Sequence, residues 1–231
     1  MNEDNKNAQV PHYVGHRSRL REKFIKAQDS LADYEILELL LGYAIPRKDV
    51  KPLAKEMLVR FKNFGSVLEA DMGELMAFDG VKENTAVFLK LIKETHVRSL
   101  KANVIKKTVL RSWDAIIDFC RVKIGRSKEE VLYLLWLNKQ LELIEMEEHL
   151  KGTVDFAYVY PAEIVKRALG LRASYLILVH NHPTGKLKPS PEDIDTTNDI
   201  RNALFTVGIS LFDHIIIGAE GHYSFKDKGI L

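Results

Sequence analysis

The stretch YLILVHNHPTGKLKPSPED, residues 175–193, holds a strand, a turn and a helix start in immediate succession. Residues 175–179 form a short continuous apolar run, the pattern of a strand covered on both faces. His180-Asn181-His182-Pro183-Thr184-Gly185 follows without a break, and its Pro and Gly turn the chain back. Ser190 and Pro191 then read as the N-cap and first residue of a helix running to about Val207, with Gly208 as its stop. A strand that feeds a helix in this way belongs to a layered α/β domain.

The flanking sequence extends that pattern. On the N-terminal side, 131–137 (VLYLLWL) is a strongly apolar run that ends at Asn138-Lys139-Gln140, and 141–146 begins again at once, a hairpin signal. A strand-like segment at 156–160 leads to Pro161, the expected first residue of a helix that stops at Gly170. On the C-terminal side, 209–218 and 222–225 read as a hairpin across Glu220-Gly221. Ser112 is expected to cap a helix reaching Cys120. Residues 112–231 are thus predicted to form an α/β domain with a mixed sheet. Between 17 and 100 the apolar residues instead recur at helical spacing (Ile36, Leu37, Leu40, Leu41; Leu53, Met57; Leu75, Met76; Val87, Leu91), which predicts a small helical bundle. Ser30 and Asp33 suggest a capping box for a helix ending near Gly42. The chain divides on this reading into a loose tail (1–15), a helical domain (16–100), a basic linker (101–111) and the α/β domain (112–231).

Two imidazoles at the end of a strand carry the chemistry. In extended chain, residues i and i+2 project to one side, so His180 and His182 converge on a common point. Asp193, in the first turn of the following helix, can add a carboxylate oxygen, giving three ligands and leaving the fourth position of a tetrahedral zinc open for water. A plainer reading competes. Ser190-Pro191-Glu192-Asp193 is also an ordinary helix start, in which Asp193 at the third position favours the helix dipole with no metal. The strand, the His-x-His, the turn and the Ser-x-x-Asp together are far more specific than any one of them.

Composition sets the outer bounds. The 231 residues are 46% hydrophobic and 29% charged, values of a folded globular protein. With 34 Lys and Arg against 32 Asp and Glu, the net charge of +2 does not mark the whole chain as a nucleic-acid binder. The local candidate for such contact is the segment from His16 to Lys26, where Arg17, Arg19, Arg21, Lys23 and Lys26 meet only Glu22. A single cysteine, Cys120, excludes an intrachain disulfide and a multi-thiolate metal site. With no signal peptide or membrane span in the sequence, the expected location is the cytoplasm.

The pattern His180-x-His182-x7-Ser190-x2-Asp193 resembles the JAMM motif of MPN-type zinc metallopeptidases. The residues HNHPTG and PS, with LFDHIIIG at 211–218, resemble the RadC family in particular. That resemblance implies a JAMM/MPN-like, cytidine-deaminase-like α/β domain behind a helix-hairpin-helix-like region. It implies Zn²⁺ held by His180, His182 and Asp193, with Ser190 on the bound water or oxyanion, and hydrolysis of an amide or isopeptide bond in a protein or peptide. The family's general base lies at the beginning of a core strand, a placement that Glu130 matches. A charged strand cap is the competing reading of Glu130, and Glu147 and Glu148 compete for the role of base. Asp213 and His214 are expected either to support the metal ligands or to pair with each other. Three departures stand out: Thr184 replaces a usual serine, Ala162 a common arginine, and Lys82 the second glycine of a helix-hairpin-helix turn in Phe78–Asn84 (FDGVKEN). The last weakens the DNA contact that the helical region would otherwise be expected to make. The family's traditional label supplies the rival reading, a DNA-associated repair or recombination accessory protein with a structural or inactive zinc site.

Overall fold

In the computed structural model, which describes residues 15–104, 108–152 and 159–231, the chain divides after Glu94 into two units. All of the expected tail but Gly15 lies outside the described residues, as do most of the strand-like segment at 156–160 and part of the expected linker.

The first unit is helical. It contains α1 (His16–Lys26), a 3-10 turn (Gln28–Ser30), α2 (Asp33–Ala44), α3 (Lys51–Phe61), α4 (Phe64–Glu69), α5 (Met72–Met76) and the start of α6 (Glu83–Val104). Leu37, Leu41, Ala54, Met57, Val67, Leu75 and Leu89 are fully buried and form its core. Helix α2 runs through Gly42 instead of ending there, and Arg17 caps it. The guanidinium donates to the carbonyls of Gly42 and Ile45 at 3.2 and 2.9 Å, groups that have no partner within the helix. At its start Ala32 is the N-cap residue, and Glu35 accepts the Ala32 N–H at 2.9 Å, while the Ser30 hydroxyl donates to Ala27. Lys23 is paired with Glu35 at 2.7 Å. Two of the five cations between His16 and Lys26 are therefore spent inside the fold, and Arg19, Arg21 and Lys26 remain as its exposed ones.

The second unit is a sheet between helical layers. Its elements are α7 (Val109–Ile124), β1 (Glu130–Leu137), β2 (Leu143–Gly152), α8 (Pro161–Leu171), β3 (Tyr175–Asn181), α9 (Pro191–Phe205), β4 (Ser210–Ile217) and β5 (His222–Ser224). The order is β2-β1-β3-β4-β5, parallel between β3 and β4 and antiparallel elsewhere, the expected mixed sheet. Alternation sorts the side chains. Val131, Tyr133, Leu135, Ile177, Val179, Ile215 and Ile217 pack with Ile116, Phe119 and Cys120 of α7. Leu132, Leu134, Trp136, Leu176 and Leu178 pack on the other face with Ile164 and Ala168 of α8 and Ile200 and Leu204 of α9. Ser112 does not cap α7. The helix starts at Val109, the backbone leaves helical geometry at Ser112, and that hydroxyl donates to the Thr108 carbonyl at 2.9 Å. Burial pushes the Cys120 thiol up to about 12, so it stays protonated and serves as an apolar residue.

This alternation positions the chemistry. His180 continues the even-numbered side of β3 toward α9, and His214 lies on the same side of β4. Leu132 opposite His180 in the β1–β3 register makes Glu130, two residues back on an antiparallel strand, level with His182. No helix among the described residues is long and apolar enough to cross a membrane.

Candidate metal centre

The site lies where β3 ends, β1 begins and α9 begins. His180 Nε2 is 3.0 Å from His182 Nε2, and the Asp193 carboxylate reaches both, Oδ1 to His180 and Oδ2 to His182, each at 3.2 Å. Glu130 joins them: one ligand atom from each of the four residues lies within 4.8 Å of all the others. His180 and Asp193 are buried, and Glu130 and His182 face an open cleft of about 350 Å³ that Thr184, Lys186 and Ser190 also line.

Local chemistry fixes each member. His182 Nδ1 is 2.7 Å from the Lys186 carbonyl, which can only accept, so the neutral ring carries its proton there and turns the Nε2 lone pair into the site. The loop that supplies this carbonyl closes in a turn, with Gly185 N–H on the His182 carbonyl at 2.8 Å and Gly185 at φ +74°. Its next residue, Leu187, lies so close to the β4–β5 turn that a Cβ at Gly218 would come within 2.9 Å of it. Asp193 performs both jobs between which the sequence left a choice. Its N–H donates to Ser190 Oγ at 3.0 Å and its Oδ2 accepts the Ser190 N–H at 2.7 Å, a complete capping box, while the same carboxylate faces the two imidazoles.

Burial works against the charged form of Asp193, but the two imidazoles that face it, His180 and His182, outweigh it and hold the carboxyl far below the usual range. The Asp193 contact raises His182 above the ordinary histidine value, whereas burial lowers His180. Two imidazole nitrogens and a carboxylate aimed at one point, with a second carboxylate at the rim, are the ligand types and number suited to a divalent transition metal. The residues fit such an ion.

Residues 110–230, over half of the chain, match the family model of the RadC-like JAB domain. The chain belongs to that family. Residues 13–87 match the UPF0758 N-terminal model, so the helical unit also has a family counterpart.

Within the JAB domain the two competing glutamates lie elsewhere. Glu147 accepts from the Trp136 indole at 2.8 Å and from Arg167 at 2.7 and 2.9 Å, and the Arg167 contact, chiefly, lowers its pKa. Glu148 accepts from the Tyr133 hydroxyl at 3.3 Å. Asp213 and His214 do not pair through their side chains. Asp213 accepts from the backbone N–H groups of His214 and Lys226 and from the Ser224 hydroxyl, tying β4 to β5. The His214 ring faces the other way, with Nε2 2.8 Å from His180 Nδ1 and Nδ1 2.6 Å from Thr197 Oγ1.

Sequence reasoning passed over Asn181 and Thr197. Asn181 projects from β3 opposite to the two histidines, accepts the Val131 N–H at 2.9 Å and donates to the carbonyls of Ser127 and Glu129 at 3.3 and 3.1 Å. It clamps the backbone on both sides of Glu130. A buried amide between two aligned histidines was the available signal.

Proposed function

We propose that this protein is a zinc-dependent hydrolase that cleaves an amide or isopeptide bond in a protein or peptide substrate. The observation that carries the reading is the meeting of two imidazole lone pairs and the Asp193 carboxylate with a half-exposed Glu130 in an open cleft. His180, His182 and Asp193 would hold the ion. When bound, zinc lowers the pKa of a coordinated water to about 7 and polarises a carbonyl. Glu130, kept level with His182 by the strand register and the Asn181 clamp, takes the proton of the attacking water and returns it to the leaving nitrogen. Ser190 Oγ accepts the Asp193 N–H, so its own proton is available to the oxyanion that develops on the substrate.

The test is turnover of peptide and isopeptide-linked substrates by the zinc-loaded full chain. Hydrolysis that a chelator stops, that zinc restores and that His182→Ala abolishes supports the reading. Full zinc occupancy without hydrolysis, together with salt-sensitive DNA binding unchanged in His180→Ala/His182→Ala, overturns it in favour of a DNA-associated accessory role.

A further inference from the structure

The hydrogen bonds behind His180 have one self-consistent direction. The Asp193 main-chain carbonyl can only accept, so the Thr197 hydroxyl donates to it. The opposite orientation would press two oxygens together with no proton between them. Having spent its proton, Thr197 Oγ1 accepts at 2.6 Å from His214 Nδ1–H. A neutral imidazole carries one N–H, so His214 Nε2 is a lone pair and accepts at 2.8 Å from His180 Nδ1–H. The remaining lone pair of His180 is on Nε2, the atom that faces His182 and Asp193.

His180, Thr197 and His214 are each no more than 1% exposed. Solvent therefore does not compete for these donors and acceptors. Thr197 is one helical turn after Asp193, so α9 supplies both a carboxylate to the site and, from the same residue, the carbonyl that ends the chain of bonds. The path closes on itself: Asp193 carboxylate, His180, His214, Thr197, Asp193 carbonyl. His182 is set by a different device, the Lys186 carbonyl of the adjacent loop.

We propose that Thr197 and His214 are positioning residues that set the tautomer of His180, keeping its proton on Nδ1 and its metal-facing Nε2 bare. The inference deepens the metal-centre reading and rests on it for its purpose. Its physical content belongs to the metal-free protein. If His214 loses the Thr197 acceptor, its proton can move to Nε2. His214 then becomes a donor to His180 Nδ1, which forces the His180 proton onto Nε2, where it blocks ligation.

The experiment uses the metal-free full chain, selectively ¹⁵N-labelled at histidine, with imidazole tautomers read from long-range ¹H–¹⁵N spectra. The wild type should show His180 protonated at Nδ1 and bare at Nε2. In Thr197→Val, which keeps the shape and removes the hydroxyl, a population of His180 protonated at Nε2 should appear. Zinc affinity, measured by competition with a chromophoric chelator, should fall about 10–100-fold, the usual cost of losing an outer hydrogen-bond partner of a ligand. Thr197→Ser should restore both. A wild-type His180 protonated at Nε2 overturns the proposal, and so does a Thr197→Val affinity equal to wild type or a Thr197→Ser affinity no better than that of Thr197→Val. The wild-type spectrum decides even if a variant fails to fold. A wild type with the stated tautomer that binds no zinc leaves the hydrogen-bond assignment standing and sinks the metal-centre reading instead.

Discussion

Asn181→Asp is the sharpest perturbation of the scaffold beneath the site, because it changes one buried atom and no shape. Asn181 is 1% exposed, and its amide nitrogen faces the carbonyls of Glu129 and Ser127 at 3.1 and 3.3 Å while its oxygen accepts the Val131 N–H. Aspartate keeps the acceptor but sets a carboxylate oxygen against two carbonyl oxygens. Two hydrogen bonds at about 1 kcal/mol each are lost, and a buried acceptor without a donor costs about 1–3 kcal/mol more, so the ionised variant should be destabilised by about 3–5 kcal/mol. Protonation of the new carboxyl restores a donor to one of the carbonyls, so its folded-state pKa must lie above the unfolded value of about 3.9. For an acid shifted in that direction the folded state binds the proton more tightly, and stability falls as pH rises from the unfolded pKa through the folded one. The assay is urea unfolding of the metal-free chain at pH 5 and pH 8, with the wild type as reference at each. Trp113 and Trp136, the two tryptophans, both lie in the second unit, so their fluorescence reports on it alone. The variant should lose the full amount at pH 8 and less at pH 5. Wild-type stability at pH 8, or an equal loss at both values, would refute the clamp.

Four further outcomes are expected. Glu130→Gln should retain zinc and fold while hydrolysis falls about 10²–10⁴-fold, as when a general base is removed; Glu147→Gln and Glu148→Gln should leave turnover near wild type, and the reverse pattern in steady-state rates would assign the base elsewhere. Ser190→Ala removes the side-chain cap that accepts the Asp193 N–H, so thermal denaturation should show a loss of about 0.5–2 kcal/mol, while zinc affinity should stay near wild type because the Ser190 N–H that holds the Asp193 carboxylate is main-chain. Apparent zinc affinity in chelator competition should rise with pH through the elevated pKa of His182 and level off above it, because a protonated imidazole cannot ligate. In the metal-free protein the sign is opposite. The raised His182 pKa contributes stability that is complete below the unfolded histidine value and is lost as pH rises through the folded one, which thermal melts across that range would show.

Much of the second unit is written locally, which is why its elements could be read without tertiary information. Continuous apolar runs gave β1 and β3, Pro161 and Ser190-Pro191 marked the starts of α8 and α9, and the spacing of His180, His182 and Asp193 anticipated their meeting. What sequence could not supply depends on neighbours distant in the chain. Glu130 lies beside His182 because β1 pairs with β3 in one register, and Glu147 is held by Trp136 and Arg167, neither of which is a local property. The roles of Asn181, Thr197 and His214 arise only once three elements pack, since each side chain takes its meaning from partners on another element. Gly42 reads as a helix stop in isolation, yet Arg17 caps the carbonyls beyond it and α2 continues to Ala44. Lys82 stands immediately before α6, and Gly80 at φ +82° supplies the bend that precedes it.

The most direct test of the central claim is an anomalous difference map collected at the zinc edge from crystals of the zinc-reconstituted full chain. A single strong peak is expected at the β3–α9 junction, about 2.0–2.2 Å from His180 Nε2, His182 Nε2 and an Asp193 carboxylate oxygen, with the Glu130 carboxylate outside the coordination sphere. A map with no peak at these side chains, or a peak that they do not ligate, would contradict it.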